Sequence, residues 1–164
     1  MKEQEKHTFT IRPAVKEDAA LVFYFIRQIA IYEQMLDQVE NTEELVRKVV
    51  FEDGAAEAVI AEEDGKPVGF ALFYTTYSTF VGRPGIHLED LFVEKKHRGK
   101  GYGKLLLQHL AALTLERGYG RLEWCCLNWN EPSLRFYRSL GASSLDEWID
   151  FRLQGSALSD ALKR

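Results

Sequence analysis

The alternation of apolar and polar positions predicts a mixed α/β fold. Six segments have the pattern of strands: residues 9–13, 56–62, 68–77, 86–93, 121–127 and 148–153. Four segments have the pattern of helices: residues 17–35, a segment beginning at Asn41 or Thr42, residues 104–117 and residues 132–140. The predicted order is strand, two helices, three strands, helix, strand, helix, strand, which is typical of a mixed α/β sheet flanked by helices.

The pattern shows no repeat, low-complexity tract or linker, so one domain is predicted from residue 8 to residue 164, preceded by a flexible tail at residues 1–7. No apolar run approaches the roughly 20 residues of a membrane span, and the charged N-terminus has no apolar segment typical of a secretory signal. The net charge of −4 argues against binding to nucleic acid. A cationic partner is compatible with that charge.

The two cysteines, Cys125 and Cys126, are neighbours in the sequence. A disulfide between adjacent cysteines strains the peptide that joins them, and neither further cysteines nor nearby histidines complete a metal site. We therefore expect no disulfide and no metal, and a cytoplasmic location.

A glycine-rich turn, Arg98-Gly99-Lys100-Gly101-Tyr102-Gly103, separates a predicted strand from a predicted helix. Backbone N–H groups at such a helix start, together with the helix dipole, suit an anion such as a diphosphate. The glycine spacing differs from the G-x-G-x-x-G turn of dinucleotide-binding folds, and Leu105 stands where a P-loop needs a hydroxyl residue beside its lysine. Taken alone, the segment is also compatible with a simple flexible turn.

Together with a second motif, this turn resembles the GNAT acyltransferases. Residues 98–103 match the family signature Q/R-x-x-G-x-G/A, and residues 129–137, Trp-Asn-Glu-Pro-Ser-Leu-Arg-Phe-Tyr, match a downstream segment that is followed by Gly141-Ala142. The resemblance covers nearly the whole chain. It implies a central, mostly antiparallel sheet flanked by about four helices, with acetyl-CoA as cofactor and coenzyme A as product.

The resemblance also implies which residues contact acetyl-CoA. They are Leu91, Phe92, Val93, Arg98, Gly99, Lys100, Gly101, Tyr102, Gly103, Lys104, Asn130, Pro132, Ser133 and Tyr137. In this family the glycine turn would hold the pyrophosphate, and a backbone N–H near residues 91–93 would polarise the thioester carbonyl where the strand splays from its neighbour.

Within the family, the chain resembles the polyamine and thialysine acetyltransferases at residues 31–35, 77–79, 88–90 and 129–132. Spermidine/spermine enzymes tend to have an aspartate where this chain has Ser78, so a short primary amine is expected as the acceptor. The predicted substrate side consists of Tyr32, Glu33, Ser78, Glu89, Asp90, Glu123, Trp124 and Cys125.

Transfer of an acetyl group to an amine requires a base, because only the neutral amine is a nucleophile and its free pKa is near 10. The resemblance points to Glu89 as base, acting directly or through water, and to Tyr137 as acid for the departing thiolate. Strand alternation predicts that Asp90 faces away from Glu89 and has the weaker role.

Two other functions stay open at this stage: a non-catalytic acetyl-CoA-binding module, and an acetyltransferase acting on proteins or peptides. By analogy with the family, the chain is expected to form a homodimer.

Overall fold

The computed structural model describes residues 7–163. They fall into two compact units, one ending at Cys125 and the other beginning at Cys126, and each is described by itself. The prediction that residues 8–164 form one domain stays a prediction. The predicted flexible tail lies outside the described residues except for His7, whose Nδ1 is 2.6 Å from Asp64 Oδ2.

The first unit is built on a five-stranded sheet with strand order β1-β2-β3-β4-β5. The strands are β1 (Phe9–Pro13), β2 (Glu57–Glu63), β3 (Lys66–Ser78), β4 (Arg83–Val93) and β5 (Leu122–Trp124). The first four pair antiparallel, and β5 runs parallel to β4. This confirms the predicted mixed, mostly antiparallel sheet.

Three helices accompany this sheet: α1 (Ala19–Tyr32), α2 (Glu43–Leu45), which continues as a π-helix over Val46–Glu52, and α3 (Tyr102–Glu116). Single 3₁₀ turns lie at Lys16–Asp18, Leu36–Gln38 and Lys95–His97. The cap of α2 is Thr42, whose hydroxyl accepts a hydrogen bond from the backbone N–H of Leu45 at 3.1 Å.

The sheet buries apolar side chains on both faces. Phe25 of α1 stacks on Phe70 of β3 with ring centroids 5.1 Å apart, within a core that also contains Ile60 of β2. Because side chains alternate along a strand, Val59 and Ala61 of β2 are buried on the opposite face, and α3 packs against the sheet there.

The second unit contains α4 (Glu131–Ser139) and α5 (Ser156–Ala161). The predicted strand at residues 148–153 is wrong: this segment has no regular secondary structure, and its apolar side chains, including Trp148 and Phe151, are exposed. A strand forms only where the edge of another strand is available for pairing, and the local sequence pattern does not show whether such an edge exists. The strand predicted at residues 121–127 is shorter, ending at Trp124.

Candidate active site

A β-bulge in β4 determines how its acidic residues are arranged. Asp90 pairs with Leu72 of β3, and Leu88 pairs with the next residue along, Phe73, so Glu89 is an extra residue without a partner. The expectation that Glu89 and Asp90 face opposite sides by simple alternation is therefore wrong, because the inserted residue interrupts the alternation between them.

Glu33, Glu89 and Asp90 form one cluster, hereafter the acidic cluster. Burial, followed by the negative charges of Glu89 and Glu33, raises the pKa of Asp90 to about 7. Burial and then the charge of Glu89 also raise the pKa of Glu33, which follows α1 directly. Glu89 itself is 55% exposed. The cluster thus combines partly buried carboxyl groups that resist ionisation with one that reaches solvent.

Tyr74, His87 and Cys125 lie beside the acidic cluster. Of these, Cys125 was identified from the sequence, whereas Tyr74 and His87 were not. Their rings stack with centroids 5.0 Å apart, and His87 Nε2 lies 3.7 Å from Glu89 Oε2. Burial raises the pKa of Tyr74, with further contributions from Glu89 and Cys125, so the predicted site residue Cys125 belongs to the same surroundings. The cross-strand pairing of Tyr74 with His87 brings these rings together, and it cannot be read before the register is known.

The other predicted substrate residues of β5 lie on the side of β4 away from β3. Glu123 and Trp124 pair with His87 and Leu88. The Glu123 carboxylate lies 2.8 Å from Nε of Arg121, the residue just before β5, which balances its charge.

Ser78 lies at the far end of β3. It is five residues beyond Phe73, or roughly 17 Å along an extended strand. The side chain is buried, and its hydroxyl accepts a hydrogen bond from the backbone N–H of Val81 at 3.2 Å. The structure therefore gives Ser78 a role in the turn after β3, away from the acidic cluster.

The glycine-rich turn has the backbone geometry expected of an anion cradle. Gly99 and Gly101 have φ angles of +79° and +86°, and a Cβ added to either would meet no atom within 4 Å. The backbone N–H of Leu105 donates a hydrogen bond to the carbonyl of Gly101. The N–H groups before it in α3, including that of Gly103, have no i−4 carbonyl within the helix to which they could donate. Open space thus lies beside a helix N-terminus, as an anionic group requires.

The three cationic side chains in and after this turn, Arg98, Lys100 and Lys104, have different contacts. Arg98 Nε donates to the carbonyl of Val93 at 2.8 Å, and its guanidinium lies 5.0 Å from the ring centroid of Tyr32 and 5.3 Å from that of Phe92. Lys100 pairs with a glutamate of β2, whereas Lys104 is exposed in the first turn of α3. Arg98 consequently links the turn to the end of α1, next to the acidic cluster.

Beyond Leu88, β4 is no longer paired with β5, because the ladder between the two strands covers only Ile86–Leu88. Leu91, Phe92 and Val93 remain paired with β3 on one side. Since N–H groups of an antiparallel strand alternate in direction, at least one of these three residues directs its N–H away from β3. The ladder stops there because β5 ends at Trp124, opposite Leu88. The splay of the two strands expected from the family resemblance stays a prediction.

The downstream motif lies in the second unit. Asn130 is buried, and its side-chain oxygen caps α4 by accepting from the N–H of Ser133 at 3.4 Å. Pro132 occupies the first turn of this helix, where its missing N–H costs nothing. Tyr137 is half-buried on α4, with its ring centroid 5.3 Å from that of Phe136.

Comparison with known proteins identifies the family. The model of the Acetyltransferase (GNAT) family matches residues 15–142. The chain belongs to the GNAT family, and it is an N-acetyltransferase. This excludes the non-catalytic binding module.

Relatives and solved structures extend this finding. The chain is similar to a thialysine N-epsilon-acetyltransferase of Bos taurus, with 35% identity over 92% of this chain and 95% of the relative. It is also similar to an L-ornithine N5-acetyltransferase of Arabidopsis thaliana, with 41% identity over 55% of this chain and 40% of the relative. Among solved structures, an integron cassette protein from V. cholerae has a TM-score of 0.80 and 28% identity, covering 95% of this chain and 98% of its own.

Residues 7–163 contain no membrane-spanning helix and no bridge between the two cysteines. None of the helices there has both the length and the apolar character needed to cross a bilayer. No disulfide joins Cys125 and Cys126.

The raised pKa of Asp90 predicts a pH-dependent stability. Between about pH 4 and pH 7 the folded chain retains a proton that the unfolded chain has lost, so the free energy of unfolding falls as the pH rises through this range. Asp90→Asn removes the ionisation and should be more stable than wild type at pH 8, by up to about 4 kcal/mol, with no such gain at pH 4. Urea unfolding at both pH values measures this difference.

The exposed Asp37 provides the control, and Asp37→Asn should follow the wild-type pH dependence. An Asp90→Asn stability difference that is the same at pH 4 and pH 8 would contradict a raised pKa at Asp90.

Proposed function

We propose that this enzyme transfers the acetyl group of acetyl-CoA to a primary amine of a small molecule, either a thialysine- or lysine-like amino acid or a short diamine. The observation that carries the proposal is the acidic cluster, Glu33, Glu89 and Asp90, in the same unit as a glycine turn with open space at a helix N-terminus. The names of the thialysine and ornithine acetyltransferases, which are similar to this chain, support an amino-acid amine.

A cationic acceptor suits the acidic cluster on electrostatic grounds. Besides burial, the negative charge of Glu89 raises the pKa values of both Glu33 and Asp90, and the charge of Glu33 adds to the effect on Asp90. An ammonium group placed among them relieves that repulsion and restores the ionised forms. We propose that Tyr32, at the end of α1, and Trp124 and Cys125, in and after β5, also contact the amine beside the acidic cluster. Glu123 is already balanced by Arg121.

Glu89 is proposed as the base that accepts the proton of the ammonium, directly or through water. Its exposure allows proton exchange with solvent, and the bulge brings it close to Asp90. The structure favours Asp90 as a second candidate, since a base is most effective when its pKa lies near the working pH. The proton is then shared within the acidic cluster rather than held by one residue.

Acetyl-CoA supplies the thioester whose acetyl group is transferred. The glycine turn fits its diphosphate, because the empty space beside Gly99 and Gly101 is where side chains of other residues would intrude. We propose that Arg98 to Lys104 contact the cofactor, that Leu91 to Val93 offer a backbone N–H to the reacting carbonyl, and that Asn130, Pro132 and Ser133 contribute to its binding. Tyr137 is proposed as the acid, supported by its position in the family motif.

We also propose a homodimeric, cytoplasmic enzyme. Family analogy and the exposed apolar side chains of the second unit, which include Ile149 and Phe151, support association with a second copy.

The proposal is tested by a screen of amines, amino acids and peptides with acetyl-CoA, detecting the thiol released. We expect kcat/KM for thialysine or lysine to exceed that for spermine by roughly tenfold or more, because Ser78 offers no charge to a distant second ammonium and its hydroxyl is held by Val81. A tenfold preference for spermine would replace the short-amine proposal with a polyamine enzyme. Activity confined to peptides would make the chain a peptide acetyltransferase.

The glycine turn generates a second prediction. Gly101→Ala places a methyl group in the space before α3 and should raise the Kd of acetyl-CoA by roughly tenfold or more, measured by calorimetry. Gly118→Ala is the matched control: Gly118 follows the same helix, also has positive φ (+68°) and also faces open space, so the backbone strain is similar, about 1–2 kcal/mol. Equal affinities in the two variants would show that the turn does not contact the cofactor.

The proton-transfer roles generate a third prediction. Glu89→Gln and Tyr137→Phe should each lower kcat near neutral pH by roughly 10²- to 10⁴-fold while acetyl-CoA still binds. Glu89→Gln should regain rate at high pH, where more of the amine is already neutral. Tyr119→Phe serves as the control for the loss of a hydroxyl group.

A kcat within about twofold of wild type would remove the corresponding role from Glu89 or Tyr137. If Asp90→Asn lowers kcat and Glu89→Gln does not, Asp90 is the base.

A further inference from the structure

A buried glutamate, Glu63, lies beside the glycine turn and has no part in the chemistry described above. It is the last residue of β2 and is 7% exposed. By strand alternation it shares the face of Val59 and Ala61, the face on which α3 packs. A carboxylate this deeply buried requires partners that compensate for lost hydration.

Its partners come from the glycine turn and the residue just before it. Lys100 Nζ donates to Glu63 Oε1 at 2.7 Å, and the Tyr102 hydroxyl donates to the same oxygen. His97 Nδ1 lies 2.7 Å from Glu63 Oε2, although its orientation does not make this contact a hydrogen bond. The Tyr102 ring also stacks on Phe9 of β1 with centroids 4.2 Å apart.

These contacts lie on both sides of Gly99 and Gly101, the two glycines that border the open space. His97 ends the 3₁₀ turn before it, Lys100 stands between Gly99 and Gly101, and Tyr102 is the first residue of α3. Glycine is the residue with the greatest backbone freedom, so a turn with two glycines has little local stiffness of its own. The contacts to a residue of the sheet supply that stiffness.

The protonation states reinforce these contacts. Hydrogen bonds from Lys100 and then Tyr102 lower the pKa of Glu63 to about 2, and the hydrogen bond to Glu63 raises the pKa of Tyr102 to about 12. The carboxylate is therefore ionised, and the hydroxyl protonated, throughout the pH range in which an acetyltransferase is assayed.

We propose that Glu63 is a positioning residue that holds the glycine turn in the conformation that binds the diphosphate of acetyl-CoA. This inference rests on the proposed function of the turn. It makes Lys100 chiefly the counter-ion of Glu63, while the backbone N–H groups at the start of α3 hold the anion. Electrostatics alone would disfavour a carboxylate beside a diphosphate, so its benefit must come from the geometry that it imposes.

The other end of α3 offers a matched contact. Arg117, directly after the helix, donates from both terminal nitrogens to the two carboxylate oxygens of Glu57, each at 2.7 Å. Glu57 begins β2 just as Glu63 ends it. Glu57→Gln therefore weakens a similar carboxylate–cation contact between the same strand and the same helix, but away from the turn.

The test compares Glu63→Gln with Glu57→Gln in steady-state kinetics with acetyl-CoA and the best amine of the screen. Glu63→Gln should raise the KM for acetyl-CoA roughly ten- to a hundredfold, the effect of losing a charge-assisted contact. The kcat at saturating acetyl-CoA and the KM for the amine should stay within about twofold. Glu57→Gln should leave all three constants near wild type, and a merely structural role would move both variants alike.

An unchanged or lower KM for acetyl-CoA in Glu63→Gln would overturn the proposal, because it would show that the carboxylate only repels the anion. If Glu63→Gln does not fold, Tyr102→Phe removes one contact and keeps the carboxylate. A raised KM for acetyl-CoA in this variant supports the proposal, and an unchanged KM overturns it.

A double-mutant cycle with Lys100→Met separates the two roles of the lysine. If Lys100 acts through Glu63, the double variant should bind acetyl-CoA no more weakly than Glu63→Gln alone. Additive losses would make Lys100 an independent phosphate ligand and would contradict the proposal. If the glycine turn does not bind acetyl-CoA at all, Gly101→Ala should also leave acetyl-CoA binding intact, so that outcome distinguishes failure of the proposed function from failure of this inference.

Discussion

The candidate site depends on one irregularity, the extra residue Glu89 in β4. Up to Leu88, β4 is paired with strands on both sides; from the bulge onward it is paired with β3 alone. The bulge interrupts the alternation that would separate Glu89 from Asp90, and it lies just beyond the point where β5 ends, so one edge of residues 91–93 has no β5 partner. Acidic groups and outward-directed backbone N–H groups thus become neighbours along a short length of a single strand.

The acidic cluster shows how burial prepares a site for a cation. Asp90 is disfavoured as an anion both by burial and by its acidic neighbours, and Glu33 is affected in the same direction. For an isolated protein this arrangement is a cost to stability. An enzyme of this kind must bind an ammonium group and then remove its proton. The arrangement provides carboxylates that are stabilised by the cation, and it includes Asp90, a proton acceptor with a pKa of about 7. Stability and function therefore make opposite demands on the same carboxylates.

The sequence predicted most of the sheet and helices because amphipathic spacing and turn residues act locally. The Asp64-Gly65 hairpin is an example, with both residues at positive φ. The site was predicted through motif resemblance, and its irregular parts were not. A bulge such as that at Glu89, the pairing of Tyr74 with His87, and the failure of residues 148–153 to form a strand all depend on which strands become neighbours. Lys100 illustrates the limit well: its position suggests a phosphate ligand, whereas its partner, Glu63, is 37 residues away.

The attachment of α3 to β2 at both ends has a consequence for motion. Helix ends normally fray, since their terminal backbone groups lack partners within the helix. Here Glu63 holds the first turn and Glu57 holds the residue after the last, so neither end can unwind without breaking a contact with the sheet. Helix and strand should then open together as one cooperative unit in amide hydrogen exchange. The conformational entropy of the helix start is lost during folding, and little of it remains to be lost when a ligand arrives.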